Sequence, residues 1–167
     1  MSALNFKEKL NAIRAFVFDI DGVLTDGTIT IHSNDTVSRT VFARDAHAIQ
    51  HAIHQGYLVA IISAARDEML KTRYLRLGMN EVYLGSTDKE ITLKEFAAVY
   101  SLEYDNILYL GDDVPDYNAM KLAGIAACPN DAVHEIREIS AYVSTYKGGA
   151  GCARDVIEQV MRVQNKW

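Results

Sequence analysis

Ala15-Phe16-Val17-Phe18-Asp19-Ile20-Asp21-Gly22-Val23-Leu24-Thr25-Asp26-Gly27 is the stretch on which the fold turns. The unbroken apolar run Ala15 to Phe18 reads as a strand buried on both faces. It runs directly into a crowd of carboxylates, Asp19, Asp21 and Asp26, set around two glycines. Like charges held together repel and raise one another's pKa, so this spacing calls for a bound cation or for chemistry that uses the shifted group. Asp19 and Asp21 point the same way while strand geometry continues. A turn at Gly22 breaks that geometry, so that one carboxylate can attack while the other reaches round as an acid.

Outward from this stretch, strands and helices take turns. Tyr57–Ile62, Glu81–Leu84, Asn106–Leu110 and Gly124–Ala127 repeat the short apolar run followed by turn residues. Between them the spacing predicts helices over Asp45–His54, Arg66–Leu77, Asp88–Tyr100, Pro115–Leu122 and Ala132–Ile139, with a last one from Ala153 to about Val163. Buried runs separated by helices are the mark of a parallel sheet covered on both faces, so the expected class is α/β, a doubly wound parallel sheet with its ligand site at the carboxyl ends of the strands. One stretch departs from the alternation. Thr28–Ile31 and Thr36–Phe42 flank His32-Ser33-Asn34-Asp35 and read as a β-hairpin after the first strand.

With 167 residues, 49% hydrophobic and 23% charged, the chain suits one domain over 1–167. No repeat or Pro/Ser-rich linker divides it. Gly148-Gly149-Ala150-Gly151 reads as a flexible hinge, making 147–167 a mobile C-terminal tail and helix. A net charge of −5 speaks against nucleic acid as a partner, since duplex binding needs a basic face. Without a secretory signal or an apolar stretch of membrane length, Cys128 and Cys152 read as buried, reduced thiols of a cytoplasmic protein with no membrane association. His47, His51 and His54 share one helix face, and a solvated face is the plainer reading of them than a metal site.

The chemistry-bearing residues fall on one rim of this sheet. Asp19 ends the first strand, Ser63 follows the second core strand, Lys89 opens a helix after the third, and Asp112-Asp113 follow the fourth. A carboxylate nucleophile, a hydroxyl, an ammonium and a second acidic pair form a set for moving a phosphoryl group. The carboxylate attacks phosphorus, Mg²⁺ relieves the repulsion between two anions, and Ser63 and Lys89 neutralise the non-bridging oxygens.

Asp19-Ile20-Asp21-Gly22, Ser63, Lys89 and Gly111-Asp112-Asp113-Val114-Pro115-Asp116 resemble, in order and spacing, the four motifs of the haloacid dehalogenase-like phosphohydrolases. The longer string from Asp19 to Gly27, then Phe42-Ala43-Arg44-Asp45, Thr87-Asp88-Lys89 and Gly148-Gly149-Ala150-Gly151-Cys152-Ala153-Arg154-Asp155, resemble the capless 3-deoxy-D-manno-octulosonate 8-phosphate phosphatase family over nearly the whole chain. The resemblance implies a Mg²⁺-dependent phosphatase acting on a phosphorylated sugar acid in lipopolysaccharide precursor synthesis. It also implies a homotetramer, and the β-branched alternation of the hairpin at 28–42 suits it to pair or pack across subunits.

By that resemblance Asp19 becomes an aspartyl phosphate, and Asp21 protonates the departing alkoxide and later activates water. Asp19, the backbone carbonyl of Asp21, and Asp112 are the metal ligands, an oxygen set suited to a hard ion. Asp113 and Asp116 stand behind these, orienting metal waters and Lys89, while Arg44, Asp45 and Arg154 face the substrate. The chain departs from the family where Ser63-Ala64-Ala65 replaces the usual Thr-Gly-Arg and where Asp45-Ala46-His47-Ala48 replaces a more glycine-rich loop. Sialic-acid-type 9-phosphate phosphatases and broad-specificity sugar phosphatases share the architecture. A phospho-accepting receiver domain uses similar residues but places its acidic pair on the first strand, and a silent structural subunit would have no need of them.

Overall fold

The computed structural model describes residues 6–167, so residues 1–5 of the expected single domain lie outside the described residues. Among the described residues eight strands occur, β1 Ala15–Phe18, β2 Thr30–Ile31, β3 Val37–Ser38, β4 Leu58–Ile62, β5 Glu81–Tyr83, β6 Ile107–Leu110, β7 Ile125–Cys128 and β8 Tyr142–Val143. The helices are α1 Phe6–Ala12, α2 Ala43–His54, α3 Glu68–Arg76, α4 Lys89–Val99, α5 Tyr117–Leu122, α6 His134–Ile139 and α7 Cys152–Val163. Six strands form a parallel sheet in the order β5-β4-β1-β6-β7-β8. The chain therefore leaves β1 toward one edge and returns to build the other, and the order reverses between β1 and β6, where a doubly wound sheet opens a crevice.

Alternation along each central strand feeds two apolar layers, as the pleat requires. Phe16 and Phe18 of β1, Val59 and Ile61 of β4, and Leu108 and Leu110 of β6 pack with α1, α2 and α7. Ala15 and Val17, Ala60 and Ile62, and Ile107 and Tyr109 face the other way, against Leu93 and Phe96 of α4 and Met120 of α5. Phe18 lies level with Ile61 on one side and Leu110 on the other, so the three strands end within one residue of one another. That common stop brings the residues following them to one rim.

Three sequence expectations change. Only two residues of each hairpin arm pair, and Ile29, Ile31 and Val37 stay 44%, 79% and 40% exposed. β8, an added parallel edge strand beside β7, is too short to announce itself in the sequence. The stretch expected to be a mobile tail is packed. Cys152, Ala153, Val156, Ile157, Val160 and Met161 of α7 are buried in the first apolar layer.

The glycines before α7 are likewise no hinge. Gly149 donates its N–H to the Val23 carbonyl at 2.9 Å, and Gly148 donates to Asp131 Oδ1 at 3.0 Å. A Cβ on Gly148 would collide with the Gly22 carbonyl oxygen, and one on Gly149 with the backbone of Thr25 and Asp26. Glycine is required here because two backbones touch. The N-terminus of α7 is held in turn by Asp45 of α2, whose Oδ1 accepts from the Arg154 N–H at 2.8 Å. Asp45 is 2% exposed, and burial outweighs these bonds enough to push its pKa up to about 6.

Two outcomes test this packing. Gly148→Ala forces the loops apart and should lower unfolding free energy by about 1–3 kcal/mol or more. Gly56→Ala, with nothing within 4 Å of its would-be Cβ, carries only the backbone strain of its φ of 86°, about 1–2 kcal/mol. Chemical denaturation showing Gly148→Ala as the milder of the two would contradict the close approach. For Asp45, a folded pKa above the unfolded one means its stabilising contribution is present at low pH and is lost as pH rises through about 6. Asp45→Asn keeps an acceptor oxygen without the charge, so its stability relative to wild type should grow between about pH 4 and 7 in parallel melts.

Candidate active site

The rim where β1, β4 and β6 stop carries a cavity of about 280 Å³, lined by Asp19, Asp21, Ser63, Lys89, Asp112 and Asp116 among others. Asp19 extends β1 by one residue, its N–H donating to the Leu110 carbonyl at 3.1 Å, so its carboxylate is placed by the sheet. Ser63 follows β4, with its N–H on the Tyr83 carbonyl at 3.0 Å and its own carbonyl accepting from Ser86 at 3.0 Å. Lys89 opens α4, whose N-terminus is capped by Asp88 Oδ1 accepting from Glu90 and Ile91.

Charge is unbalanced in this cavity. Lys89 Nζ lies 2.9 Å from Asp19 Oδ2 and 2.7 Å from Asp116 Oδ1. Burial works against its ammonium, yet the two carboxylates outweigh that and hold its pKa above the ordinary value. Asp19 is raised by burial and then by Asp116, with Lys89 pulling the other way. Asp112 makes no ion pair, and burial followed by Asp19 and Asp116 outweighs the pull of Lys89 and pushes it up to about 8. Asp19 Oδ1 and Asp112 Oδ1 are buried without a hydrogen-bond partner. Orphaned buried carboxylate oxygens are rare. Asp19, Asp112 and Asp116 offer ligand oxygens within 4.8 Å of one another, an all-oxygen set that fits a hard divalent cation. Of these, Asp116 is already occupied, accepting from Lys89, from Tyr109 OH at 2.9 Å and from the Asp112 N–H at 3.1 Å.

Local backbone explains two glycines. Gly22, at φ 88°, reverses the chain after Asp21, and a Cβ there would occupy the position of the Asp112 carboxylate. A Cβ on Gly111 would strike the Asp116 side chain. Asp113 is exposed and caps the short turn Val114–Asp116, its Oδ1 accepting from the Val114 N–H at 2.7 Å. Asp26 is a turn residue, accepting from the Thr28 N–H at 2.9 Å.

Sequence reasoning missed the partner of Asp21. Arg39, just past β3, grips that carboxylate with two donors, Nε to Oδ1 at 2.7 Å and Nη2 to Oδ2 at 3.1 Å. Tyr109 and the buried Thr25, whose hydroxyl reaches the Ile20 carbonyl and Asp21 Oδ1, each at 3.3 Å, also went unread. Nothing local marks these residues. Tyr109 sits in a strand as one more apolar letter, although a phenol buried beside a carboxylate needs such an acceptor.

The expected substrate-side residues do not reach this cavity within the chain. Arg44 and Arg154 line a separate cavity of about 430 Å³ together with Phe42, Tyr146 and Glu158. Arg154 Nε is paired with Glu158 at 2.7 Å and its guanidinium lies over the Trp167 ring, so it is already engaged. Asp45 is committed to α7 as its cap. In the departing loop Ala64 and Ala65 line the catalytic cavity, and the Ala65 N–H donates to Ser63 Oγ at 3.3 Å.

Comparison with known proteins accords with this geometry. Residues 75–154 match the model of haloacid dehalogenase-like hydrolases. The 3-deoxy-D-manno-octulosonate 8-phosphate phosphatase of Yersinia pestis is 30% identical over 154 residues, 92% of this chain and 82% of that protein. The Moraxella catarrhalis enzyme of the same name, solved with magnesium, phosphate and KDO, superposes with a TM-score of 0.92 at 30% identity, covering 95% of this chain and 91% of that one. A cobalt-bound Haemophilus influenzae phosphatase gives a TM-score of 0.90 at 26% identity, covering 94% and 92%. The acidic rim, the doubly wound sheet and these likenesses lead to one conclusion: the chain belongs to the haloacid dehalogenase-like hydrolases, in the 3-deoxy-D-manno-octulosonate 8-phosphate phosphatase family of phosphoric monoester hydrolases.

Proposed function

We infer that this protein removes phosphate from 3-deoxy-D-manno-octulosonate 8-phosphate, releasing the free sugar acid during lipopolysaccharide precursor synthesis. The observation that carries the reading is the pair of orphaned oxygens on Asp19 and Asp112 beside the Lys89 ammonium, in a relative of an enzyme solved with the free sugar acid and phosphate. Magnesium held by Asp19, Asp112 and the Asp21 carbonyl would supply the positive charge that lets one anion approach another.

In this mechanism Asp19 attacks phosphorus, the bond from phosphorus to the sugar oxygen breaks, and Asp21 gives its proton to the departing alkoxide. Asp21 then takes a proton from water, which opens the aspartyl phosphate and regenerates Asp19. Ser63 and Lys89 hold the non-bridging oxygens. Asp116 works at one remove, fixing Lys89 with help from Tyr109. Asp113, as the cap of the Val114–Asp116 turn, sets the position of Asp112 and Asp116.

No inserted segment covers the cavity, since only the hairpin, α2 and the core strand β4 lie between the first acidic motif and Ser63. We assign the cover to neighbouring copies in a homotetramer, with the exposed Ile29, Ile31 and Val37 of the hairpin as the contact. Arg44 and Arg154 then serve a neighbour's substrate from their own cavity. Both cysteines are free and buried, which suits the cytoplasm as the place of reaction. Among the described residues no helix is long and apolar enough to cross a membrane.

Asp19→Asn removes the nucleophile and should lower turnover about 10⁴-fold or more, measured as phosphate release by protein checked for deamidation. Retained turnover of a few per cent would rule out covalent catalysis there. Chelation should abolish hydrolysis and added Mg²⁺ restore it, with Ca²⁺ inhibiting because its looser coordination spoils in-line geometry. Full activity in excess chelator would exclude the metal.

A further inference from the structure

Asp21 is held in a way that conflicts with its assigned work. Both carboxylate oxygens are taken by the Arg39 guanidinium, and Oδ1 also accepts from Thr25. With Thr25, the fork fills three of the roughly four acceptor sites on the two oxygens, which leaves little of the carboxylate free to meet a departing alkoxide. Arg39 must therefore release Asp21 during turnover, and a conformational change follows a ligand only if that ligand interacts differently with the two states.

The surroundings of Arg39 indicate what draws it away. Its side chain is only 8% exposed, yet Nη1 has no hydrogen-bond partner and reaches Asp67 Oδ2 only at 3.7 Å. Arg39 also borders a cavity of about 570 Å³, into which Arg73 and Arg76 of α3 project alongside Met69 and Leu77. Asp21 lines the catalytic cavity and Arg39 lines this second one, so their ion pair stands between the two. The cavity beside Asp19 measures about 280 Å³, while the space on the Arg39 side is larger and is lined by three arginines, by Asp67 and by apolar side chains.

We propose that Arg39 is an exchangeable clamp, which leaves Asp21 for the carboxylate of the incoming sugar acid and thereby frees Asp21 to act. The exchange replaces one carboxylate by another in the same two-donor fork, so the bond lost and the bond gained are alike in kind and the switch is not trapped in either position. Arg73 and Arg76 add to the positive field that draws the acid end in. A sugar phosphate without a carboxylate leaves Arg39 on Asp21 and is turned over from a blocked site. Specificity for the acid thus arises from release of the catalytic group as well as from binding. The idea rests on the sugar-acid reading above, with the carboxylate as the group recognised.

The test compares 3-deoxy-D-manno-octulosonate 8-phosphate with D-ribose 5-phosphate as substrates of the magnesium-loaded protein, in wild type, Arg39→Ala and Arg39→Lys. The ratio of the two kcat/KM values should fall about 30-fold or more in Arg39→Ala, through loss on the sugar acid and gain on the plain sugar phosphate. Arg39→Lys keeps the charge without the fork and should fall between wild type and Arg39→Ala. It also carries the comparison if Arg39→Ala fails to fold. An unchanged ratio, or an equal loss on both substrates, would overturn the clamp while leaving the substrate reading intact. A wild type indifferent to the carboxylate overturns both. A crystal structure with free 3-deoxy-D-manno-octulosonate bound should place the guanidinium on the sugar carboxylate, and Arg39 still seated on Asp21 with that ligand present would refute the exchange.

Discussion

Lys89 is the one ammonium in a cavity that also holds Asp19, Asp112 and Asp116, and much of the molecule serves to keep that imbalance in place. A charge buried this far from water is costly unless it is paired. Asp19 and Asp116 pair Lys89 from two sides, and Tyr109 adds a hydroxyl to Asp116, which leaves Asp112 and one oxygen of Asp19 unanswered. The cost of that shortfall is borne by the rest of the fold. β1, β4 and β6, almost wholly buried and ending within one residue of one another, supply a close-packed floor.

Close backbone contact, rather than side-chain packing, sets the fine geometry above that floor. Gly22 gives up its Cβ to the Asp112 carboxylate, Gly111 to Asp116, and Gly148 to the carbonyl of Gly22 itself. These contacts form a chain, from the segment before α7 to the loop after β1 and on to the loop after β6. A methyl group at Gly22 or Gly111 would displace a carboxylate, and one at Gly148 would displace the loop that carries Asp21. Positioning errors of about 1 Å are enough to cost two orders of magnitude in rate.

Some of this is legible in the sequence alone. The five core strands stand out as apolar runs, and the residues just past their ends, Asp19, Ser63 and Asp112, are readable because a parallel sheet sends all strand ends to one side. Lys89 follows from its place at the start of a helix after the third strand. Arg39 was not legible, because it sits in a polar hairpin where an arginine is ordinary and its partner lies 18 residues away. Gly148 and Gly149 look like a hinge in the sequence because freedom of rotation and the need for close approach are written with the same letter. Asp45 and Arg154 share the family's motif, yet side-chain commitments set within this chain, a helix cap and a contact with Glu158 and Trp167, take them away from Asp19.

The meeting of Gly148–Gly149 with the loop after β1 ties catalysis to the order in which the chain assembles. β1 comes early in the sequence but lies mid-sheet, and its neighbours β4 and β6 and the brace on its loop all come later. Contacts of such long sequence separation form late in folding, after the loop-closure entropy has been met. A nascent chain that has emerged only as far as β6 already carries every acidic residue of the site up to that point, but without the brace that fixes their spacing. The same dependence operates in the finished protein. Any local opening that lifts α7 from α2 withdraws the brace, so the lifetime of the catalytic geometry cannot exceed the residence of that helix on the core.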